Sequence, residues 1–352
     1  MPGYIHHVEW CVSDLYGQVQ VLVSHYGFEP VAQRLRKIQD DFVVEQIIVR
    51  SGATRFMLTQ KTSNVQAKVR SVQDDEYPVL VCCPGQDHVR DTVFNVALKI
   101  GPNVDEITEK IQDLDANSVL VAPNDKCHTR LSVVKSCCGN VIHSLLENDF
   151  DPYPPGFEAI QTNVGQVWNE NWLRTTHMDH VTYVCHPGQS QKILQWYNSV
   201  FKMKRFLVNP QESIEDGVEI SGDVNMRLSV GEWLSSWMCR EEGVQFQNDS
   251  KLNFKLVLAE PLDNEKGSHV QNFLDGHGGP GLQHIGLTTP NACQTVSVMS
   301  KNGAQFRKPP PTYYQLVSQI FAIFNVKLKR YKIRLVCILT IFYSTLFCFL
   351  FK

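Results

Sequence analysis

Two histidines occupy matching places in the second half of this 352-residue chain, His180 in HMDHVTY and His284 in GLQHIGL. Each lies in an alternating apolar strand that leads through a turn into a helix-period stretch. Two strand-borne imidazoles and one carboxylate make the facial set that holds Fe(II) in non-haem oxygenases and leaves coordination positions open. The last acidic residue of the sequence is Asp275, nine positions before His284. By residue type, the pattern is an iron oxygenase site without its third ligand.

The elements that must position these side chains repeat. Four segments, opening at HHVEWCV, FNVALKI, DHVTYVC and QHIGLTT, share a plan of strand, turn, helix-period stretch and second strand. Val19, Leu22 and Val23, and again Ile193, Leu194 and Tyr197, have the spacing of one helix face. Period-2 strands follow, and Phe42–Gln60 and Arg130–Glu147 read as hairpins turning at Ser51-Gly52 and Gly139-Asn140. The units are therefore βαβββ modules, two to each half-barrel sheet, and the fold class is α+β. The Pro-rich stretch from Asp151 to Thr176 has no sustained period; it is the linker, 151–176, between domains over 1–150 and 177–315. Aligning the units superposes His7, Asn95, His180 and His284. With Asn at the second place, the first domain reads as non-catalytic, and His7 and Glu147 as remnants of a site.

Composition excludes several classes. The formal charge of −3, with no basic stripe in the first 320 residues, argues against a nucleic-acid partner. The eleven cysteines are odd in number and include the vicinal pairs Cys82-Cys83 and Cys137-Cys138. Neighbours of that kind do not bridge easily, so a reducing setting is expected. Cys127, His128, Cys137, Cys138 and His143 match the spacing of no common zinc module. The N-terminus MPGYIHHVEW has neither an apolar signal core nor an Arg-rich amphipathic stretch.

At HMDHVTY, GGPGLQHIGL and PPTYYQ the sequence resembles the 4-hydroxyphenylpyruvate dioxygenase family and its vertebrate dioxygenase-like members, from His7 to about Gln315. The resemblance implies a vicinal-oxygen-chelate fold with its site in the second domain. It implies Fe(II) on His180, His284 and a Glu of the last strand, with a small-molecule 2-oxo acid and O2 as substrates. Gln283, the candidate catalytic residue, would help place the 2-oxo acid. Gly278, Gly279 and Gly281 are expected to let the backbone pass close to the metal strand. Three pocket positions depart from the ordinary dioxygenase: Ala259 stands for Asn, Leu228 for Ser and His269 for Gln. Two lost polar groups weaken the hold on the ring, which favours benzylic attack and 4-hydroxymandelate over homogentisate. Another activity of the same fold, an isomerase or extradiol cleavage, is disfavoured by TYYQ and GGPGLQH. The resemblance also implies a mitochondrial location, with cytoplasm or a membrane as alternatives, and a homodimer is compatible with it.

Beyond Gln315 the likeness stops, leaving the last module truncated and residues 316–352 divergent. Leu335–Phe351 is 17 uncharged, largely apolar residues behind Lys327, Lys329, Arg330, Lys332 and Arg334. That is the pattern of a short spanning helix with a cytosolic basic flank. A membrane anchor and a splice artefact are both open readings, and a catalytically inactive form lacking the third iron ligand is the alternative to a working dioxygenase. Either way, one or two poorly anchored helices are expected there, and the sheet is expected to keep an open edge.

Overall fold

In the computed structural model, residues 3–39, 42–62, 70–71, 76–80, 91–123, 130–160, 175–206, 217–220, 226–233, 254–262, 268–306 and 345–350 are described. The Cys82-Cys83 pair, Cys127, His128, PPTYYQ and the basic flank lie outside them.

The first unit runs through β1 (Tyr4–Cys11), α1 (Leu15–Tyr26), β2 (Glu29–Gln39), β3 (Phe42–Ser51) and β4 (Thr54–Thr62). Asp14 caps α1 by accepting from the Gly17 amide at 2.9 Å, and Leu15 and Leu22 give the helix its buried stripe. After a short β5 (Arg70–Ser71), the second unit repeats the order with β6 (Thr92–Lys99), α2 (Val104–Leu114), β7 (Val119–Val121), β8 (Leu131–Lys135) and β9 (Ile142–Leu146). β10 (Glu158–Ala159) lies antiparallel on β2, so the start of the sequence-derived linker is pinned to the first sheet. The strand order is β10-β2-β3-β4-β1-β6-β9-β8-β7, with β5 beside β2. The units meet at the antiparallel pair β1–β6, and each closes through a parallel pair, β1–β4 and β6–β9. Five consecutive residues of β1, Ile5 to Glu9, are buried, so both faces of this strand are covered.

The second sheet follows the same rule. It contains β11 (His177–Val184), α3 (Ser190–Phe201), β12 (Lys204–Phe206), β13 (Val218–Ile220), β14 (Met226–Trp233), β15 (Phe254–Pro261), α4 (His269–His277), β16 (Gly281–Thr288), α5 (Ala292–Lys301) and β17 (Thr345–Leu350). β11 pairs parallel with β15 and antiparallel with β16, as β1 does with β4 and β6. A single apolar cluster joins the halves, running from Leu15 and Val96 to Tyr197 and Leu258. His143 on β9 meets the Tyr197 hydroxyl of α3 at 2.7 Å inside it.

The expected helices of the tail give way, at Thr345–Leu350, to a strand. β17 pairs antiparallel with β16, setting Leu350 opposite His284 and Cys348 opposite Gly286. Its counterpart β9 runs parallel to β6, so the second half is covered at that edge by a strand of the opposite direction. The physical reason is the edge itself: β16 presents unpaired backbone groups, and TLFCFL is rich in residues that suit a pleated surface. Among the described residues no helix is long and apolar enough to cross a membrane.

Candidate metal centre and pocket

The two imidazoles sit on adjacent antiparallel strands, offset along them. His180 faces Gly286, and His284 faces Thr182. The ring centroids are 5.7 Å apart and the planes cross at 84°. A β-carbon built on Gly286 would lie 2.1 Å from His180 Cε1, so only glycine leaves room for this ring.

Each histidine is set by a bulge. The register of β11 against β16 slips between Met178 and His180, making Asp179 the extra residue, and again between Thr182 and Tyr183, where Gln283 is extra on β16. Neighbours on a strand normally point to opposite faces; a bulge turns both to one side. Asp179 Oδ2 therefore reaches His180 Nδ1 at 2.9 Å, and Gln283 Oε1 lies 3.2 Å from His284 Nδ1. Lys255 Nζ donates to Asp179 Oδ1 at 2.7 Å. Burial pushes the Asp179 carboxyl up, but the bond to His180 and the Lys255 ammonium outweigh it and hold the group well below the usual carboxylate range. The Thr182 hydroxyl lies 2.9 Å from His284 Nε2. Asp179, Lys255, Thr182 and Gly286 were not singled out from sequence, since the bulges that recruit them leave no periodic signal.

Of the pocket positions, Leu228 and Ala259 are direct partners across β14 and β15. They join Val184 and the Val270, Phe273 and Leu274 face of α4 in an apolar cluster of their own. His269 is the first residue of α4, just after the capping Ser268. The glycine loop corrects one expectation. Gly278 and Gly279 are needed for left-handed backbone, φ 80° and 140°, with nothing near a built β-carbon. The close approach belongs to Gly281, under the His277 ring at 2.4 Å, and to Gly286.

The first half keeps the framework and fills the space. β1 slips between Ile5 and His7 and between Glu9 and Trp10, the same two places as β11. His7, Glu9 and Asn95 thus stand where His180, Thr182 and His284 do. Tyr77, fully buried, fills the space: its hydroxyl donates to Ser144 Oγ at 2.9 Å and lies 3.2 Å from His7 Nε2. Asn95 Nδ2 donates to Ser144 Oγ at 2.9 Å. The carboxylate in this network is Glu9, bonded by Thr59 and Gln46 at 2.6 and 2.7 Å, rather than the Glu147 read from sequence.

Comparison with known proteins now bears on the arrangement. No protein-family model matches the chain. It is 31% identical over 191 residues to the 4-hydroxyphenylpyruvate dioxygenase-like protein of Mus musculus, covering 52% of the chain and 46% of that protein. It is 23% identical over 328 residues to the 4-hydroxyphenylpyruvate dioxygenase of Neurospora crassa, covering 89% and 72%. A triple mutant of 4-hydroxymandelate synthase from Streptomyces coelicolor superposes with a TM-score of 0.62 at 18% identity, over 92% of this chain and 82% of that one. The chain is a relative of the 4-hydroxyphenylpyruvate dioxygenases. Its fold is the vicinal-oxygen-chelate fold of that group. The alignment to the vertebrate dioxygenase-like relatives spans about half their length, 46%.

The iron that the dioxygenase relationship implies can be tested against the donors present. Two imidazoles converge, but Asp179 is turned to His180 Nδ1 and Lys255, and no acidic residue follows Asp275 in the sequence. Among the described residues, no three His, Cys, Asp or Glu side chains gather as metal ligands. The described residues bring two imidazoles together and do not fit a complete Fe(II) site.

Proposed function

We propose that the second sheet is an arylpyruvate site of the dioxygenase type, whose reaction is the decarboxylation and hydroxylation of 4-hydroxyphenylpyruvate with O2 to 4-hydroxymandelate. The observation that carries this reading is the convergence of His180 and His284, with Gln283 turned beside them by its bulge. His180 and His284 are the iron-holding residues of the proposal, and Gln283 positions the 2-oxo acid. The apolar Leu228–Ala259 pair offers an aromatic ring dispersion contact without a directed hydrogen bond. That favours attack at the benzylic carbon; homogentisate is the alternative product.

With two neutral ligands and no anionic third among the described residues, this chain is expected to hold Fe(II) weakly. Metal analysis after loading with Fe(II) should find far less than one iron per chain. Near-stoichiometric iron, lost on His180→Ala or His284→Ala, would sink that part of the reading. Replacing residues 316–352 by the corresponding C-terminal segment of the Neurospora crassa 4-hydroxyphenylpyruvate dioxygenase tests the reaction. The hybrid should consume O2 only with an arylpyruvate present and release chiefly 4-hydroxymandelate. Homogentisate as the main product would mean that Ala259 and Leu228 do not steer the attack. A mitochondrial location belongs to the same proposal, and cell fractionation decides it.

A further inference from the structure

His277, the last residue of α4, joins the first half to the candidate site. Its ring stacks on Phe273, with centroids 4.9 Å apart and planes 13° from parallel. Phe273 in turn packs in the apolar cluster that contains Leu228 and Ala259. His277 Nδ1 lies 2.9 Å from the Gly279 carbonyl, which can only accept, so Nδ1 carries the proton. The neutral ring then accepts at Nε2, and its partner there belongs to the other half: the Thr92 hydroxyl, at 2.9 Å. That hydroxyl accepts from Asn140 Nδ2 at 3.2 Å. For its own proton, Nε2 is nearer than the Val93 carbonyl at 3.3 Å. A chain of hydrogen bonds thus runs from Asn140 through Thr92 and His277 to Gly279.

The two ends of this chain occupy matching places in the repeat. Thr92 opens β6 opposite Cys11, and Gly281 opens β16 opposite Val184. They stand three residues before Asn95 and His284, respectively. His277 spans the two strand starts, because its Cε1 would lie 2.4 Å from a β-carbon built on Gly281. The first half closes on the same loop from another side: a β-carbon on Gly139, in the β8–β9 turn, would meet the Pro280 carbonyl oxygen at 1.9 Å. Residues 278–281 are therefore held between the His277 ring and the backbone of the first half. Two residues on comes Gln283, the extra residue of the bulge that turns it beside His284. A loop that slides would carry that bulge with it.

We propose that His277 is a positioning residue through which the first half holds the 278–281 loop, and with it Gln283 and His284, in place for the 2-oxo acid. The inference rests on the arylpyruvate reading of the second sheet. Thr92→Val removes the hydroxyl from the other sheet with little change of shape. In the full chain, amide exchange followed by mass spectrometry should then speed at least threefold over residues 278–284, with 42–62 at the parental rate. His277→Asn keeps a donor at the Nδ1 place and loses the reach to Thr92. It should match Thr92→Val, and the double variant should exchange no faster than either. His277→Gln, whose amide reaches the Nε2 place, should lie closer to the parent than His277→Asn does. 4-Hydroxyphenylpyruvate, titrated by calorimetry, should bind Thr92→Val at least threefold more weakly than the parent. Parental exchange in Thr92→Val and His277→Asn, or additive effects in the double variant, would overturn the proposal. So would faster exchange with unchanged ligand affinity, or faster exchange spread over both sheets, which marks lost stability and not lost position. A parent that takes up no 4-hydroxyphenylpyruvate refutes the arylpyruvate reading, and the proposal with it, even where exchange responds as expected.

Discussion

Replacing Glu9 by glutamine should change how stability depends on pH while keeping the side chain's shape. Glu9 is fully buried, and burial pushes its carboxyl up from an ordinary 4.5 to about 7, against the lowering influence of Thr59, Arg34, Asn95 and Gln46. A carboxyl that titrates higher in the fold than in the unfolded chain favours the fold while both states are protonated. Its contribution is fully present below pH 4.5 and is lost as the pH rises to about 7. At about 1.36 kcal/mol per pH unit, that span corresponds to about 3 kcal/mol. The parent curve alone would conceal this. Burial pulls His143 down to about 4 and His6 to about 3, and it pulls His7 well below the ordinary 6.5. Those groups lend stability above pH 6.5 that disappears on acidification, the opposite slope. The difference between Glu9→Gln and parent cancels the histidines. Urea unfolding at intervals from pH 4.5 to 8 should show the variant gaining about 3 kcal/mol on the parent across the window. A difference that stays constant with pH would show that Glu9 is ionised throughout and that Arg34 compensates its burial.

Gly286→Ala forces the His180 ring back by about 1.3 Å, from 2.1 Å to an ordinary 3.4 Å, which breaks the 2.9 Å bond to Asp179. Thermal melting should report a loss of about 1–3 kcal/mol. Gly276→Ala is the control: nothing lies within 4 Å of its built β-carbon inside α4, so it should be neutral or gain up to about 1 kcal/mol. Asp179→Asn should cost about 1–3 kcal/mol at neutral pH by taking the charge from between His180 and Lys255. The Asp179 carboxyl is held below its usual range, so its contribution is present above the ordinary 3.8 and lost as the pH falls below it. The deficit should shrink in acid; a deficit that grows would mean the ion pair is unimportant.

The repeat was legible because it rests on periodicity. β1, β6, β11 and β16 form where the four modules were read to open, and His7, Asn95, His180 and His284 fall at equivalent registers. What surrounds the histidines was not legible. A bulge adds one residue and shifts the face of its neighbour without altering composition, so Asp179 and Gln283 could not be placed from their positions beside a histidine. Tyr77 reaches His7 from 70 residues away, and a contact of that separation has no local trace. The tail failed for another reason. An uncharged apolar run serves a lipid-facing helix or a strand at a hydrophobic edge, and the choice at Thr345–Leu350 depends on the free edge of β16.

The kinked β1 at His6 and His7 has a consequence for how such molecules change over generations. It persists in a half where Tyr77 and Ser144 occupy the interior, so the kink is a requirement of the closing sheet and not of any ligand. Shape and chemistry are therefore inherited separately. One copy of the doubled unit is free to trade an imidazole for an amide, as at Asn95, and convert its hollow into packing. The other keeps a pair of histidines aimed by the same backbone. A chain carrying both holds one scaffold in two states, one packed around Tyr77 and Asn95 and one presenting its imidazoles.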